Sequence, residues 1–283
     1  MMHLMQSTDR DEPAHVLLDA GDERRLERFG ERVVDRPAPA ALWPPRLPPP
    51  EWATADLRFD RDGGWQGDRT PWSIDVDGLT LEMRTADSGQ LGFFPEQATF
   101  WPWLRETLAG RPDVAVLHLF AHTGATTLAL ARAGARVTHV DASRPAVAWA
   151  RRNADLSGLT DAPIRWIVDD ALEFTRREAR RRRRYDGIVL DPPTFGHGPH
   201  GTRWELVDAL PDLLEACAAV AADDAFVLLT AHAAGLTDEN LGVALVDAFD
   251  LGPDSHVLAG PIELRATSGA VLPLGVVARM IRG

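Results

Sequence analysis

The stretch AVLHLFAHTGATTLALARAGARVTHVDASRPAVAWARRNADL, residues 115–156, carries two short apolar runs, Ala115–Phe120 and Val137–Asp141. Each is followed by a run of helical length, Thr126–Ala133 and Pro145–Leu156. Short continuous apolar runs bounded by turn residues mark strands buried on both faces. The alternation continues outward. Strands are expected at Ile164–Val168, Gly187–Leu190 and Ala225–Thr230, and helices at Ala171–Arg184, Leu206–Ala222 and Glu239–Phe249. At the end, Ser255–Leu264 and Val271–Arg279 have no helix between them, which predicts an antiparallel hairpin at one sheet edge. The expected fold class is α/β, a mostly parallel seven-stranded sheet covered by helices on both faces.

Upstream the pattern differs. Residues 1–70 are expected as an irregular, Pro/Trp-rich extension containing a short strand and a turn at Gly21-Asp22. Its segment RPAPAALWPPRLPPPEW, residues 36–52, has too many prolines for a helix. Trp43, Trp52 and Trp65 need a surface to cover, so the arm is expected to pack against the main domain. Residues 71–112 read as a β-hairpin turning at Asp77-Gly78, then a lead-in helix entered near Gln97. Residues 113–283 form the main domain.

Composition bounds the function. Thirty basic against 42 acidic residues give a net charge of −12, which argues against broad affinity for phosphate backbones. Every basic residue is an arginine. A single cysteine, Cys217, excludes an internal disulfide and a clustered-thiol metal site. No apolar run reaches the length a bilayer needs, and the first residues lack the pattern of a signal peptide. The expected compartment is the cytoplasm, with no membrane partner.

In a sheet of this kind ligands bind beyond the carboxyl ends of the strands. The first strand ends in the turn Ala121-His122-Thr123-Gly124. Its single glycine does not meet the three-glycine requirement of a pyrophosphate cradle. Asp141 tips the second strand, Asp169 and Asp170 the third, and Asp191 the fourth. A carboxylate at the second tip can accept both hydroxyls of a ribose, and one at the third an exocyclic amine. Ribose, adenine and no phosphate cradle together describe S-adenosylmethionine.

From about Trp72 to Arg279 the chain resembles the class I S-adenosylmethionine-dependent methyltransferases, whose fold is Rossmann-like. Within them it is similar to the branch of large-subunit ribosomal RNA cytosine-C5 and guanine-N7 enzymes. The resemblance rests on LFAHTG, HVDASRPAVAWARRNADLSGL, DDALEF, LDPPTF and GFFPEQ, in the family's order. It implies a cofactor site of Phe94 and Gln97 from GFFPEQ, and Phe120, Thr123 and Gly124 beside the methionine moiety. Asp141, Ala142 and Ser143 would lie at the ribose, and Asp169, Asp170 and Ala171 at the adenine. It also implies a catalytic group of Asp191, Pro192, Pro193 and Phe195 facing the methyl acceptor, with RNA as substrate partner. A small metabolite or a protein side chain is the alternative acceptor, and a non-catalytic cofactor-binding scaffold the alternative role.

The segment YDGIVLDPPTF, residues 185–195, ends a buried strand in a rigid, donor-free shelf. Asp191 and the Pro192 carbonyl can accept from an amino group and aim its lone pair, and Phe195 can stack on a planar acceptor. Carbon methylation needs a cysteine nucleophile. The fifth strand ends in LLTAHAAGL without one, and Cys217 sits within an apolar helix. The run RREARRRRR, residues 176–184, could hold phosphates but reads first as the solvated end of a helix. His197 and His200 beside the shelf, and His118, His122 and His139, lack metal-ligand spacing.

Overall fold

The computed structural model describes residues 13–197, 203–251 and 255–282. The chain forms two compact units, Met1–Leu91 with Arg265–Val271, and Gly92–Leu264 with Leu272–Gly283. His200 lies outside the described residues.

In the first unit β1 (His15–Gly21), β2 (Arg24–Phe29) and β3 (Arg32–Pro37) precede a one-turn α1 (Pro49–Trp52), then β4 (Leu57–Asp60) and β5 (Gly64–Gly67). They make a five-stranded sheet in the order β1-β2-β3-β4-β5. β6 (Trp72–Val76) and β7 (Leu79–Met83) pair as the expected hairpin. The expected β/irregular extension is thus a β one, with a five-stranded sheet where the sequence offered a single short strand. The strands escape a hydropathy reading because charges stand where apolar residues should. Glu27 is wholly buried, with Arg36 Nε at 2.7 Å and His15 Nε2 at 2.9 Å. Burial opposes its ionisation, but Arg25 and Arg36 beside it hold the carboxyl well below its ordinary value.

A second buried acid orders the proline-rich arm. Asp19 Oδ2 accepts from the backbone N–H groups of Arg46 and Leu47, at 2.9 and 2.8 Å, and from the Trp52 indole at 3.3 Å. Its Oδ1 accepts from Ser268 at 2.6 Å. These bonds replace the ladder that prolines cannot make. Trp43 and Trp65 donate to the carbonyls of Ala20 and Ala86, also within this unit. The exclusion of helix from residues 36–52 fails at its end, where α1 begins on Pro49; the first helical turn tolerates proline because its N–H would be unpaired anyway.

The second unit opens with α2 (Pro95–Ala98) and α3 (Trp101–Leu108). The alternation follows as β8 (Ala115–Leu119), α4 (Ala125–Arg132), β9 (Arg136–Asp141), α5 (Arg144–Leu156), β10 (Ile164–Val168), α6 (Ala171–Arg180) and β11 (Tyr185–Leu190). Two three-residue strands, β12 (Phe195–His197) and β13 (Arg203–Glu205), pair after the shelf. Then come α7 (Leu206–Ala218), β14 (Ala221–Ala231), α8 (Asp238–Phe249), β15 (His256–Arg265) and β16 (Val271–Ile281). The seven-stranded sheet runs β10-β9-β8-β11-β14-β16-β15, parallel through β14, with β16 antiparallel to it. Strand order reverses between β8 and β11, so the crevice that such a reversal opens lies at Leu119 and Leu190.

Two boundaries move. α6 stops at Arg180, four residues before its expected end, and Arg182 turns the chain at φ 56°. α7 stops at Ala218, and Ala221 already belongs to β14. The core is tightest at Gly187 on β11, which pairs with Phe226 on β14. A Cβ at Gly187 would overlap the Phe226 ring.

Gly187→Ala should destabilise the protein by about 1–3 kcal/mol, the usual cost of overpacking a full core. Thermal unfolding followed by calorimetry would show a drop of several degrees; an unchanged melting temperature would mean that β11 and β14 can separate without cost.

Candidate active site

The cleft forms where β8 and β11 end. The turn after β8 is backbone-strained: Phe120 has φ 54°, His122 φ 46° and Gly124 φ 82°. An aromatic residue at positive φ is costly and is retained only where surroundings impose it. At Gly124 a Cβ would come within 2.8 Å of the Ala150 Cβ, so only glycine permits α4 to start this close to α5. Asp141 braces the turn. Its Oδ2 accepts from His122 N and its Oδ1 from Ser143 N, both at 2.8 Å. Each oxygen keeps a second lone-pair direction.

Phe94, Gln97, Phe120, Thr123, Gly124 and Asp191 line one cleft that opens to solvent. Thr123 Oγ1 donates to the Gly92 carbonyl and Asn153 Nδ2 to the Thr123 carbonyl, which fixes the turn from both sides. Ala142 and Ser143 follow Asp141 as exposed residues, with Ser143 capping α5 by accepting from Ala146 N at 3.3 Å. Asp170 caps α6 through Glu173 N at 2.8 Å, and Ala171 is the buried first residue of that helix. Asp169 is engaged elsewhere: Arg177 forms an ion pair with its Oδ2, and Asp170 N donates to its Oδ1 at 2.9 Å. Asp141, Asp170 and Asp191 thus stand at successive strand tips, while Asp169 serves α6.

Asp191 is the most tightly held group. Its Oδ1 accepts from Thr230 Oγ1 at 2.5 Å, and His232 Nε2 lies 3.0 Å from the same oxygen. Gln97 Nε2 in turn donates to Thr230 Oγ1 at 3.1 Å. The other ring nitrogen of His232 is 2.6 Å from the Leu274 carbonyl. A histidine with an acceptor at each nitrogen must carry both protons. Burial pushes His232 down, but the Asp191 hydrogen bond and charge outweigh it and raise its pKa to about 9. Asp191 moves the other way: burial favours the neutral acid, yet the His232 bond and charge hold it below its ordinary value. Oδ2 has no protein partner among the described residues.

His118, 5% exposed, lines the same cleft and has the opposite charge state. Burial lowers it to about 4 against the pull of Asp191, so it is neutral. Its Nδ1 lies 2.7 Å from Thr127 Oγ1, which is 2.9 Å from His139 Nδ1. His122 is also pushed down by burial, and its Nδ1 is buried without a partner.

Of the shelf, Pro192 is buried and the Pro193 carbonyl accepts from the Trp204 indole at 2.8 Å. Trp204 also packs on Phe120, with ring centroids 5.6 Å apart. Phe195 is 61% exposed, which leaves a face free for stacking. Cys217 is fully buried in α7, where burial lifts its thiol to about 12. Sequence reasoning missed His232, Thr230 and Trp204. The signal for the first two was their position at the tip of the fifth strand, level with Asp191; Trp204 carries none.

Residues 97–224 match the family model described as Conserved hypothetical protein 95. Ribosomal RNA large subunit methyltransferase I of Aeromonas salmonicida is 28% identical over 200 residues, 66% of this chain and 47% of that protein. Ribosomal RNA large subunit methyltransferase K/L of Methylococcus capsulatus is 41% identical over 87 residues, 30% of this chain and 12% of that protein. The chain thus spans about half or less of the length of these curated relatives. A Streptococcus mutans structure with a TM-score of 0.76 and 16% identity shares the fold alone. The SAM-dependent methyltransferase from Agrobacterium tumefaciens is 36% identical, with a TM-score of 0.89 over 95% of this chain and 90% of that one. On that likeness, carried across both units, the chain belongs to the SAM-dependent methyltransferases.

Proposed function

We propose that the protein binds S-adenosylmethionine and transfers its methyl group to a nucleobase nitrogen in RNA. The observation that carries the reading is Asp191: one carboxylate oxygen is pinned by Thr230 and His232, the other has no protein partner among the described residues, and the side chain lines the same cleft as the strained turn of Phe120–Gly124. The residues present fit the cofactor. Asp141 has lone pairs for the ribose hydroxyls, Asp170 for the adenine amine, and His122, whose buried Nδ1 has no partner among the described residues, lines the same cleft. When bound, S-adenosylmethionine supplies an electrophilic methyl on a sulfonium.

The protein's own task is alignment. An amino or ring N–H can donate to the open oxygen of Asp191, which turns the acceptor's lone pair toward the cofactor pocket. Pro192 and Pro193 keep that carboxylate from swinging away. Phe195 offers its exposed ring to a planar base. A covalent route through cysteine finds no support, because the thiol of Cys217 is buried in α7 and lifted to about 12. RNA as the substrate is supported by the likeness to the ribosomal RNA enzymes over 66% of the chain. Mass spectrometry of nucleosides from a strain lacking the gene, compared with its parent, tests the reading. One methylated base should disappear and return when the purified protein and S-adenosylmethionine are added to the extracted RNA. An unchanged profile, with label entering a metabolite fraction instead, would overturn it.

Asp141→Ala should weaken cofactor binding by about 1.5–3 kcal/mol, the range for hydrogen bonds to a charged acceptor. Titration calorimetry reads this directly; an unchanged dissociation constant would move the ribose contact to another residue.

Asp191→Ala should slow single-turnover methylation by about a hundredfold or more, since small losses of alignment cost that much. The cofactor dissociation constant should shift only a few-fold, because the contact is made mainly in the transition state. If turnover per folded molecule survives while the melting temperature falls, the carboxylate is a loop cap and nothing more.

The His232–Asp191 pair adds a pH signature. The folded-state value of His232, about 9, lies above its ordinary 6.5. The pair therefore stabilises the native state fully below pH about 6.5 and loses that contribution as pH rises through about 9. The melting-temperature advantage of wild type over His232→Gln should be constant at pH 5–6 and shrink toward pH 10; a flat difference would mean that the imidazole is already neutral.

A further inference from the structure

At the opposite end of the parallel sheet, where the strands begin, lies a second cavity of about 480 Å³. Its floor is formed by Val137, Ile164 and Tyr185, and its rim by Arg136, Arg165, Arg183 and Arg184. One acid faces it, Glu178, and that acid is already saturated. Its side chain is 1% exposed and accepts from the Tyr185 hydroxyl at 2.9 Å, Arg181 Nη1 at 2.9 Å and Arg165 Nη1 at 3.2 Å. A single buried carboxylate thus anchors two arginines whose own side chains are 49% and 59% exposed. It neutralises one of them.

The remaining rim charges have little to satisfy them. Arg136 shares the exposed Asp113 at 2.5 Å. Arg184 donates to backbone carbonyls of Arg183 and Ala219. Arg180, Arg182 and Arg183 are exposed and have no acidic partner among the described residues. The early end of α6 produces this arrangement. With the helix over at Arg180 and Arg182 at φ 56°, the arginine run leaves the helix as a turn and spreads around the cavity mouth. The turn itself is an ordinary left-handed helix end; what a plain solvated end would not need is the buried carboxylate beneath it.

We infer that this arginine-rimmed cavity grips the phosphodiester backbone of the RNA substrate at a point remote from the methylated base. The inference rests on the reading of RNA as substrate given above. Guanidinium groups match phosphate oxygens two at a time, and here Arg136, Arg165 and Arg184 are positioned by their own contacts while Arg183 is free to turn toward a ligand. The charges extend from the cavity along Arg180–Arg184, wider than one phosphate, which suits a repeating backbone better than a free anion. Strands of five to six residues separate this cavity from the tips that carry Asp141 and Asp191, a span of roughly 16–20 Å at the rise of a parallel strand. A mononucleoside cannot reach both ends, whereas a folded RNA can pass around the edge strand β10.

The test uses the full-length protein and large-subunit ribosomal RNA from a strain lacking the gene. RNA affinity is measured across a salt series for wild type, Arg183→Ala, Arg183→Lys and the pair Arg136→Ala with Arg183→Ala. Each lost phosphate contact should lower the slope of log affinity against log salt by about 1. Arg183→Ala should bind several-fold more weakly and the double variant more weakly still, whereas Arg183→Lys should keep the salt slope of wild type and recover part of the affinity, since it retains the charge but not the bidentate fork. Cofactor affinity and melting temperature should stay unchanged. If wild type binds the RNA and the alanine variants keep its affinity and slope, the docking site is overturned and the function stands. If wild type binds no RNA, the function is overturned and the docking site with it. Saturable binding of AMP or inorganic phosphate that Arg183→Ala removes, with RNA affinity untouched, would also overturn the inference and make the cavity a free-anion site.

Discussion

The carboxylate of Asp191 fixes the working geometry of this molecule, and its own position is fixed by two neighbouring strands. It leaves the end of β11, accepts from Thr230 and His232 at the end of β14, and is held in line by two prolines. The bond from Thr230 passes to Gln97 and that from His232 to the Leu274 carbonyl, so four segments meet on one oxygen. Such a network holds Oδ1 in place and leaves Oδ2 open among the described residues. It works only if His232 is charged and Asp191 ionised, and each of those states supports the other. His118, beside the same carboxylate, lies deeper and stays neutral. Two histidines around one acid thus differ in charge because His232 is bonded directly to the carboxylate and to a carbonyl, whereas burial outweighs the pull of Asp191 on His118.

The turn after β8 shows the complementary device. There the backbone itself is forced into positive φ at Phe120, His122 and Gly124, and Asp141 holds it there through His122 N. The acid suited to a ribose is the same acid that shapes the neighbouring turn. Binding and backbone strain are therefore coupled through one side chain, and occupancy of its free lone pairs would be felt in the turn.

The core sheet was legible because each buried strand is an unbroken apolar run and each turn carries its own punctuation. Ala115–Leu119, Ile164–Val168 and the helix of Arg144–Leu156 fall within a residue of the pattern. The first unit was not legible, for the reason that makes it unusual. β2 and β3 bury Glu27, Asp35 and Arg36, and a pattern reader treats buried charges as surface. Acids at the strand tips could be read from the sequence, but not their contacts: Asp169 and Asp170 are adjacent and both brace α6, Asp169 by its ion pair to Arg177 and Asp170 by capping through Glu173 N. His232 escaped because its role comes from a strand that is distant in sequence and adjacent in space. Pairing of β11 with β14 converts that distance of 41 residues into a 3.0 Å contact.

A net charge of −12 stands at odds with the polyanionic substrate proposed above, and the contradiction dissolves at the scale on which charges act. At physiological salt the Debye length is about 8 Å, so exposed charges farther apart than that are largely screened from one another. What an approaching phosphate meets is the local balance. In the first unit Arg24, Arg36 and Arg58 are matched by Asp35, Glu27 and Asp60 at hydrogen-bonding distance, so that surface offers little free positive charge there. At the starting edge of the parallel sheet the balance inverts, since one buried glutamate serves two guanidinium groups and Arg180, Arg182 and Arg183 have no acidic partner among the described residues. An acidic surface elsewhere then works in favour of selectivity. It repels a backbone that arrives in the wrong orientation and leaves the arginine rim as the place where it can rest. The same distribution keeps the shelf itself nearly uncharged, because Asp191 and His232 cancel. A base entering the cleft is then held by the direction of a single oxygen rather than by a field, which suits a reaction whose barrier depends on alignment.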